Sequence, residues 1–279
     1  MPELPEMQAL AERLDAAVTG TAVADIEPIG FTALKTVRPA PEELRGRRVT
    51  GIGRRGKYLV VALEDGVRIL VHLSQSGRLD LETPRKHTRP RGAVVRICFD
   101  DDSSILVREH GSQRRAGWWV LGEGDDGPLA TLGPEPDDPA FDEFLRTSDT
   151  TRRVHTVLRD QRTLAGVGRG YADDIVNLAG LSPFAPVRSL TAEQRTRLVD
   201  AVHSVLDEAL ARERARTGGL SEPKLGLRFA VHNRAGQPCP RCGEPLLRVS
   251  YDSHEIVYCR HCQTGGRTLA DRRLSRLLR

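Results

Sequence analysis

The sequence predicts a multidomain α+β protein: an N-terminal helix before a β-sandwich or barrel, then a helical region, then a small β-hairpin held by a metal. Three observations carry this prediction. Apolar residues recur at helical spacing at the start of the chain, short β-rich runs fill residues 21–121, and two Cys-x2-Cys pairs lie near the end. A chain of 279 residues is long enough to bury more than one core.

The N-terminal half predicts one helix followed by strands. Residues 3–18 repeat apolar side chains every three or four positions, which indicates an amphipathic helix with one buried face. The residues on that face are Leu4, Met7, Leu10, Leu14 and Val18. Beyond residue 20, short runs rich in Val, Ile and Leu alternate with turn residues, as is typical of a sandwich or barrel. These runs are 57–63, 67–73, 93–99 and 104–107.

Helical periodicity returns in the second half. Residues 122–138 are rich in Gly, Pro and Asp, and 122–150 is predicted to be a linker. Helices are predicted over 152–162, 171–178 and 192–214, the last with Thr191 as its N-cap. Three glycines between residues 165 and 170 precede the second of these helices. Their backbone N–H groups could clamp a phosphate, although a plain tight corner between helices would use glycine equally.

Four of the five cysteines predict a metal site. Cys239 and Cys242 form one Cys-x2-Cys pair, Cys259 and Cys262 form a second, and sixteen residues separate the pairs. In a cytosolic chain this spacing indicates one tetrahedral zinc ion with four thiolate ligands. Two short strands, 246–250 and 255–258, are predicted between the pairs, so the zinc is expected to be structural. Cys98 lies on an apolar strand and is predicted to be core filler.

The charge distribution is uneven. Lysine and arginine total 42 against 38 aspartate and glutamate, a net charge of +4, yet residues 263–279 contain five arginines and 123–143 is acidic. Such asymmetry suits a protein that docks one face on nucleic acid, although a solvated surface would also have it. The chain has no run of 18 apolar residues and no charged-then-apolar leader, which predicts a soluble protein of the cytoplasm.

The first six residues can supply a nucleophile. If Met1 is removed, the ring nitrogen of Pro2 becomes a secondary α-amine with a pKa near ~8, partly neutral at neutral pH. Such an amine can attack an aldehyde-like carbon and form a charged iminium, an electron sink. Glu3 and Glu6 share one face of the expected helix and could transfer protons beside it. The alternative is that Met-Pro is a common start and the glutamates only favour a helix N-terminus.

Lysine usage points to Lys57. Only four of the basic residues are lysines, namely Lys35, Lys57, Lys86 and Lys224. An ammonium can lose and regain a proton, which a guanidinium effectively cannot do, so a retained lysine can mark chemistry. Lys57 begins a predicted strand and is a candidate for handling a proton or contacting a phosphate. A surface lysine at a strand end is the alternative.

Seven motifs together resemble one family along nearly the whole chain. They are Pro2–Glu6, Gly56–Leu59, His72–Gly77, Arg114-Arg115 before Gly117-Trp118, Leu132–Pro136, Gly166–Gly168 and Tyr258–Gln263. In this order they resemble the formamidopyrimidine-DNA glycosylase and endonuclease VIII family of bacterial base-excision repair enzymes.

The resemblance implies a fold that agrees with the plan above. It comprises an N-terminal helix plus β-sandwich, a helix–two-turns–helix α domain and a C-terminal four-cysteine zinc-finger β-hairpin with one structural Zn²⁺. The implied segments are a catalytic helix and sandwich over 1–121, a linker over 122–150, a DNA-binding domain over 151–226, a zinc finger over 227–265 and a basic extension over 266–279.

The resemblance also implies an activity, that of a DNA glycosylase and AP lyase on oxidised bases. The family flips a damaged nucleotide out of duplex DNA. On that pattern the Pro2 nitrogen attacks C1′ of the deoxyribose, Glu3 helps to open the sugar ring, and Glu6 supports the amine. The iminium acidifies the C2′ proton, so β-elimination cuts the strand and a δ step can follow. Lys57 would contact a phosphate beside the lesion.

The resemblance further implies a set of DNA contacts, some of which depart from the family pattern. The implied contact residues are Lys57, His72, Gln75, Arg114, Arg115, Gly168, Arg169 and His254. Gln75 and Ala116 stand where enzymes acting on oxidised purines have methionine and phenylalanine. Arg169 replaces the turn asparagine, and His254 replaces the zinc-finger arginine. The δ step is therefore less secure than the β step, although His254 could donate a proton if it titrates near neutrality.

The preferred lesion stays open. Segment 217–226 is shorter than the loop that covers the everted base in oxidised-purine enzymes, which with Gln75 favours oxidised pyrimidines or abasic sites. The sequence of residues Pro2–Glu6 favours the formamidopyrimidine branch instead. The extension 266–279 is unusual for the family, and its leucines predict a short helix that packs back while its arginines contact phosphate.

Two other functions fit parts of the pattern. A catalytically weak relative could bind and shelter damaged DNA, and a zinc-ribbon protein could bind RNA or the ribosome. Retention of Met1 would block the amine and exclude the enzyme. The expected partner is duplex DNA with oxidised bases or abasic sites, with no membrane partner, and we expect a monomer in a bacterial cytoplasm at the nucleoid.

Overall fold

The computed structural model describes residues 1–111, 114–218, 220, 228–251 and 254–270 of the chain. The chain divides into two compact units, the first comprising Met1–Ala130 with Arg212–Pro223 and the second Thr131–Ala211 with Lys224–Arg279. Among the described residues, no helix has the length and apolar character needed to cross a membrane.

The first unit begins with helix α1, Leu4–Val18, within one residue of the predicted span. Pro5 fits the first turn because that turn has backbone N–H groups without intrahelical partners. The Glu6 carboxylate accepts the backbone N–H of Glu3 at 2.8 Å and so caps the helix start. The apolar face of α1 is buried in the core of the unit, as its periodicity predicts.

Two four-stranded antiparallel sheets form the sandwich. The strands are β1 Val23–Pro28, β2 Val49–Arg55, β3 Tyr58–Leu63, β4 Arg68–His72, β5 Gly77–Glu82, β6 Ala93–Phe99, β7 Ser104–Glu109 and β8 Gly117–Leu121. One sheet has the order β1-β6-β7-β5 and the other β2-β3-β4-β8. Both sheets and α1 contribute apolar side chains to one buried core. The predicted sandwich is thus confirmed, and Cys98 is fully buried on β6 as predicted.

The second unit is helical. Its helices are α2 Pro139–Thr147, α3 Val154–Arg159, α4 Arg169–Leu178 and α5 Ala192–Ala215, of which the last four residues are counted with the first unit. The last three match the predicted helices, and the Thr191 hydroxyl accepts the backbone N–H of Gln194 at 3.2 Å, an N-cap as predicted.

Helix α2 lies within residues 122–150, which the sequence predicts to be a linker, and that prediction is wrong for this part. Asp138 caps the helix by accepting the N–H of Ala140 at 2.9 Å, and Pro139 occupies its first turn. Phe141 and Leu145 are buried in the core of the second unit. The Asp-Pro signal was present in the sequence, but the high content of Gly, Pro and Asp on its N-terminal side obscured it.

The chain ends in a small hairpin as predicted. Strands β9 Leu247–Ser250 and β10 Glu255–Tyr258 pair in antiparallel register, and a short helix, α6 Arg260–Thr264, follows. The tip of this hairpin at 252–253, most of the shortened segment 217–226 and residues 271–279 of the basic extension lie outside the described residues. The remaining predicted domain boundaries stay predictions.

Candidate active site

The predicted site residues are divided between the two units, and each group is described within its own unit. The first unit holds Pro2, Glu3, Glu6, Lys57, His72, Gln75, Arg114 and Arg115. The second holds Gly168, Arg169, His254, Cys239, Cys242, Cys259 and Cys262.

The start of α1 holds a buried carboxylate beside Pro2. Pro2 is buried, and Glu3 is only 5% exposed. Burial of a carboxylate is costly unless it is partnered, so the position of Glu3 is closely specified. The hydrogen bond from the Glu3 N–H to Glu6 fixes the turn that carries the Glu3 side chain. In the described chain Met1 still precedes Pro2, whose nitrogen is therefore an amide.

Lys57 is not a surface lysine. It is only 5% exposed and lies in the two-residue turn between β2 and β3, where Arg55 and Tyr58 are paired across the turn. Gly56, the other turn residue, has a φ of +57°, which glycine adopts more readily than other residues. The tight turn thus directs Lys57 into a protected position, and the alternative of a solvated charge is wrong.

His72 lies beside Lys57. It is opposite Tyr58 in the pairing of β3 with β4, and the two ring centroids are 4.9 Å apart. Burial, and after it the positive charge of Lys57, lowers the pKa of His72 to about 4. The imidazole is therefore neutral at pH 7. It can donate or accept a hydrogen bond next to the ammonium, but it adds no second positive charge.

Trp119 completes this cluster, and no sequence pattern singled it out. Its ring lies edge-on to Tyr58 at 5.5 Å. Trp119 is on β8, the strand that pairs with β4, and only the register of β3, β4 and β8 brings it to Tyr58. Single-sequence patterns do not contain that register.

The loops at one end of the sandwich hold Gln75, Arg114 and Arg115, all exposed. The Glu109 carboxylate accepts the backbone N–H of Arg115 at 2.8 Å and that of Ala116 at 2.9 Å, which fixes the chain just before β8. Ala116 itself is buried in the core. The backbone N–H of His110 donates to the Ser76 carbonyl at 3.1 Å, so the loop of Gln75 joins the same end.

A basic loop over residues 83–92 lies at this end as well, and the sequence analysis did not single it out. Its basic residues are Arg85, Lys86, His87, Arg89 and Arg91. The Gly92 carbonyl accepts the backbone N–H of Glu109 at 2.8 Å, which links this loop to the loop of Arg114. Five basic residues within seven positions were the signal that could have identified it.

In the second unit, the glycine turn before α4 is braced by Gln161. The N–H of Gly166 donates to Gln161 Oε1 at 3.0 Å, and Gln161 Nε2 donates to the Val167 carbonyl at 2.6 Å. The Gly166 N–H is thus engaged within the protein. A Cβ on Gly170 would collide with the Phe229 ring, so close packing requires this glycine. Packing explains Gly170, whereas phosphate binding by the helix start at Gly168 and Arg169 stays a prediction.

His254 differs from its expected behaviour. Its ring stacks on Tyr251 at 4.5 Å, and burial together with the charges of Arg169 and Arg159 lowers its pKa to about 4. The expectation of a ring that titrates near neutrality is therefore wrong for the free protein. Arg159 ends α3 and Arg169 begins α4, so cations from both helices act on this ring. No sequence pattern marked Arg159.

A buried carboxylate joins the helices to the hairpin. Asp173 on α4 is fully buried, with His155 Nε2 at 3.0 Å and His232 Nδ1 at 2.7 Å. It also accepts the backbone N–H of Val257 on β10 at 3.3 Å. One side chain therefore contacts α3, β10 and the segment that leads into the first cysteine pair.

The four cysteines converge as their spacing predicts. Cys239, Cys242, Cys259 and Cys262 place their Sγ atoms within 4.8 Å of one another, and the Cys242 and Cys259 sulfurs are 3.5 Å apart. Tetrahedral coordination with metal–sulfur bonds of ~2.3 Å separates ligand sulfurs by about 3.8 Å. The arrangement fits a metal ion with four thiolate ligands.

Comparison with known proteins identifies the family. A family model for the formamidopyrimidine-DNA glycosylase N-terminal domain matches residues 1–119, and one for the formamidopyrimidine-DNA glycosylase H2TH domain matches residues 132–219. The chain belongs to the formamidopyrimidine-DNA glycosylase family. The family resemblance stated from the motifs is thereby confirmed.

Relatives of this family match over nearly their whole length. The formamidopyrimidine-DNA glycosylase of Thermus thermophilus is 37% identical over 95% of this chain and 100% of its own. That of Moorella thermoacetica is 35% identical over 89% and 94%. A solved Lactococcus lactis formamidopyrimidine-DNA glycosylase, in complex with DNA containing N7-benzyl-Fapy-dG, is 25% identical with a TM-score of 0.82, covering 94% of this chain and all of that one.

Proposed function

We propose that this protein is a base-excision-repair DNA glycosylase with AP lyase activity, which removes oxidised bases from duplex DNA through the nitrogen of Pro2. The observation that carries the proposal is Glu3, a buried carboxylate directly after Pro2 and held by the capped first turn of α1. Related proteins of this family have been solved on DNA that contains a Fapy-dG lesion or an abasic site, which supports DNA as the substrate.

The first step forms a covalent bond. Once Met1 is removed, the Pro2 nitrogen attacks C1′ of the everted deoxyribose while the bond from C1′ to the damaged base breaks. The Glu3 carboxylate takes the proton that the Pro2 nitrogen loses and delivers it to the sugar ring oxygen, while the departing base takes a proton from water. The bond from C1′ to the ring oxygen then breaks, and the ring opens to leave an iminium between Pro2 and C1′. A buried position suits Glu3 to this task, because a site with little water strengthens its interaction with the developing charge.

The second step cuts the strand. The iminium makes the C2′ proton acidic, and loss of that proton expels the 3′ phosphate as the C3′–O bond breaks. Lys57 holds a phosphate beside the lesion, and the neutral His72 next to it accepts or donates hydrogen bonds without adding charge. A second elimination at the 5′ side needs an acid. Since His254 is neutral at pH 7 in the free protein, we expect β-elimination products to exceed δ-elimination products.

The second unit contributes phosphate binding. Arg169 at the start of α4 combines a guanidinium with the positive end of the helix dipole, an arrangement that favours a phosphate. Arg159 adds a second positive charge from α3. Together, Arg169 and Arg159 replace the positive charge that an arginine at position 254 would supply and that the neutral His254 does not. Zinc at the four cysteines would hold the hairpin that carries His254 and would take no part in the chemistry. Action on DNA would locate the protein at the bacterial nucleoid.

The preferred lesion is addressed by the same experiment that tests the activity. Single-turnover cleavage is measured on duplexes with one oxidised purine, one oxidised pyrimidine or one abasic site, with and without alkali. Glu3→Gln should abolish base removal and leave binding of the abasic duplex within about twofold of wild type. Glu6→Gln is the comparison variant. Its amide oxygen can still accept the Glu3 N–H, so the first turn of α1 should be kept, and any loss of rate measures the support that the Glu6 carboxylate gives to the amine.

Two results would contradict the assignment. If Glu3→Gln lost binding and base removal in parallel, Glu3 would be a structural residue. If purified protein without Met1 cleaved no duplex of the panel yet bound the abasic duplex tightly, it would be a non-catalytic damage-binding protein.

A further inference from the structure

Phe31 is the most exposed large apolar side chain among the described residues. It is 100% exposed, and Val37 on the same loop is 89% exposed, whereas Met1 and Leu178 reach only 36% and 45%. The loop, residues 29–38, connects β1 to the segment before β2. A phenylalanine wholly in water forgoes ~2 kcal/mol that burial would give.

The loop is anchored on both sides of Phe31. The backbone N–H groups of Ile29 and Gly30 donate to the Val94 carbonyl at 3.1 and 2.8 Å. On the other side, Trp118 N–H donates to the Ala33 carbonyl at 2.9 Å, and Lys35 N–H donates to the Trp118 carbonyl at 2.9 Å. Phe31 therefore projects from a short segment whose ends are fixed to the starts of β6 and β8.

These anchors place Phe31 at the end of the sandwich where the basic loops meet. Strand β6 follows the basic loop 83–92, and β8 follows the loop of Arg114, and Glu109 contacts both of those loops. We call the segments 29–38, 74–76, 83–92, 110–111 and 114–116 the basic rim. The basic rim contains no aspartate or glutamate in its sequence. Its lysines and arginines are Lys35, Arg38, Arg85, Lys86, Arg89, Arg91, Arg114 and Arg115.

The charge of the basic rim indicates which kind of partner it binds. Seven of its eight cations are exposed, and Arg85 pairs with Asp102 at 3.5 Å. Such a basic surface attracts the phosphates of DNA, and an aromatic side chain within it can stack on bases. Eversion of a nucleotide also leaves a gap in the duplex, which proteins commonly fill with an inserted apolar side chain. Ala116 cannot fill it because its short side chain is buried, while Gln75 and Phe31 are exposed on the basic rim.

We propose that Phe31 stacks against bases of the damaged duplex and supports the opened base step while the lesion is everted. This inference rests on the proposed function, because it needs damaged DNA on the basic rim. A stacking contact by Phe31 involves no charge. It should therefore strengthen DNA binding without changing how the affinity depends on salt.

The test compares Phe31→Ala with Val37→Ala, a matched truncation on the same loop. Binding is measured at several salt concentrations to a duplex carrying an abasic-site analogue, with 2-aminopurine as the neighbouring base. Phe31→Ala should weaken binding roughly 5- to 100-fold, the loss expected for one base–aromatic stack, with the slope of affinity against salt unchanged. It should also change the 2-aminopurine emission of the complex, and Phe31→Trp should restore affinity. Val37→Ala should match wild type. Since both side chains are exposed, neither truncation should affect folding.

Three outcomes would overturn the proposal. They are wild-type affinity for Phe31→Ala, an equal loss in both truncations, and a loss that comes with a shallower salt slope. Cleavage of the abasic duplex by the wild-type protein separates this failure from failure of the proposed function. If the wild-type protein cleaves the duplex while Phe31→Ala binds it normally, the role proposed for Phe31 is wrong and the proposed function is unaffected.

Discussion

At the scale of single residues, His72 shows how its surroundings set the protonation of a side chain. Burial of the ring, and after it the ammonium of Lys57, favours neutral His72, whose pKa is about 4 against an ordinary value of 6.5. In the proposed phosphate site, Lys57 would therefore supply positive charge and His72 a neutral imidazole.

The first prediction concerns this pair. Lys57→Met should raise the pKa of His72 but not to 6.5, because burial, the larger cause, remains. Lys57→Arg retains the positive charge and should leave the pKa near 4. An NMR titration of the His72 ring protons measures both variants. An unchanged pKa in Lys57→Met would show that the lysine charge does not act on the ring.

The same pKa predicts how stability depends on pH. The unfolded chain binds a proton at His72 near pH 6.5, whereas the folded protein does so only near pH 4. Between these values the unfolded state holds more protons, so the free energy of unfolding should fall as the pH falls from 6.5 to 4. In His72→Gln this part of the pH dependence should disappear, as urea unfolding at a series of pH values can measure.

Residue identities at the site were predictable where a motif names them, and side-chain environments were not. Pro2, Glu3 and Lys57 could be selected as candidate site residues from their chemistry and from the motifs that contain them. The neutral state of His254 depends first on burial of the ring and then on the charges of Arg169 and Arg159, which are 85 and 95 positions away in sequence. The contact of Trp119 with Tyr58 depends on strand register. Both are long-range properties that no local pattern records.

At the scale of elements, the start of α4 is fixed by packing between Gly170 and Phe229. The Phe229 ring lies over the helix where any Cβ would collide, and the same ring contacts Tyr171 edge-on at 5.0 Å. The glycine turn therefore positions Arg169 through the packing of its neighbour as well as through the Gln161 hydrogen bonds.

The second variant set tests that packing. Gly170→Ala should lower the free energy of unfolding by about 1–3 kcal/mol, the usual cost of overpacking a core. Phe229→Leu removes the colliding ring atoms, so the double variant should lose less than the sum of the two single changes. Urea unfolding of all four proteins measures the coupling. Additive losses would indicate that the two positions do not touch.

Element prediction succeeded where periodicity is strong and failed for three strands that contain polar residues and for the short apolar strand β8. Helices α1, α4 and α5 have clear apolar faces and were predicted nearly to their ends. Strands β1, β2, β5 and β8 were not singled out. The sequence of β2 contains two glycines and two arginines, and β5 alternates charged with apolar residues, so neither forms an apolar run. Their identity depends on neighbouring strands that bury one face.

At the scale of the whole molecule, the hairpin has too small a core to fold alone. Among the described residues, its buried cluster comprises Val231, Leu246 and Val257 besides two of the cysteines. The metal and the Asp173 contacts must therefore supply much of its stability.

Metal removal tests this dependence. The purified protein should contain about one equivalent of zinc, and a strong chelator should abolish DNA binding while the sandwich keeps its β-sheet circular dichroism signal. Cys239→Ser should lose the metal, and Cys98→Ser, the matched control at a buried non-ligand thiol, should retain it. A metal-free protein that still binds DNA normally would show that the four cysteines have no structural role.

The central claim is that the Pro2 nitrogen is the nucleophile, and borohydride trapping on a duplex with one abasic site tests it most directly. Protein lacking Met1 should form a covalent protein–DNA band after reduction of the iminium, and protein that retains Met1 should form none. The band from Lys57→Ala, which keeps the amine, should be weaker but present. A band of equal strength from the Met1-retaining protein would place the nucleophile elsewhere and contradict the account.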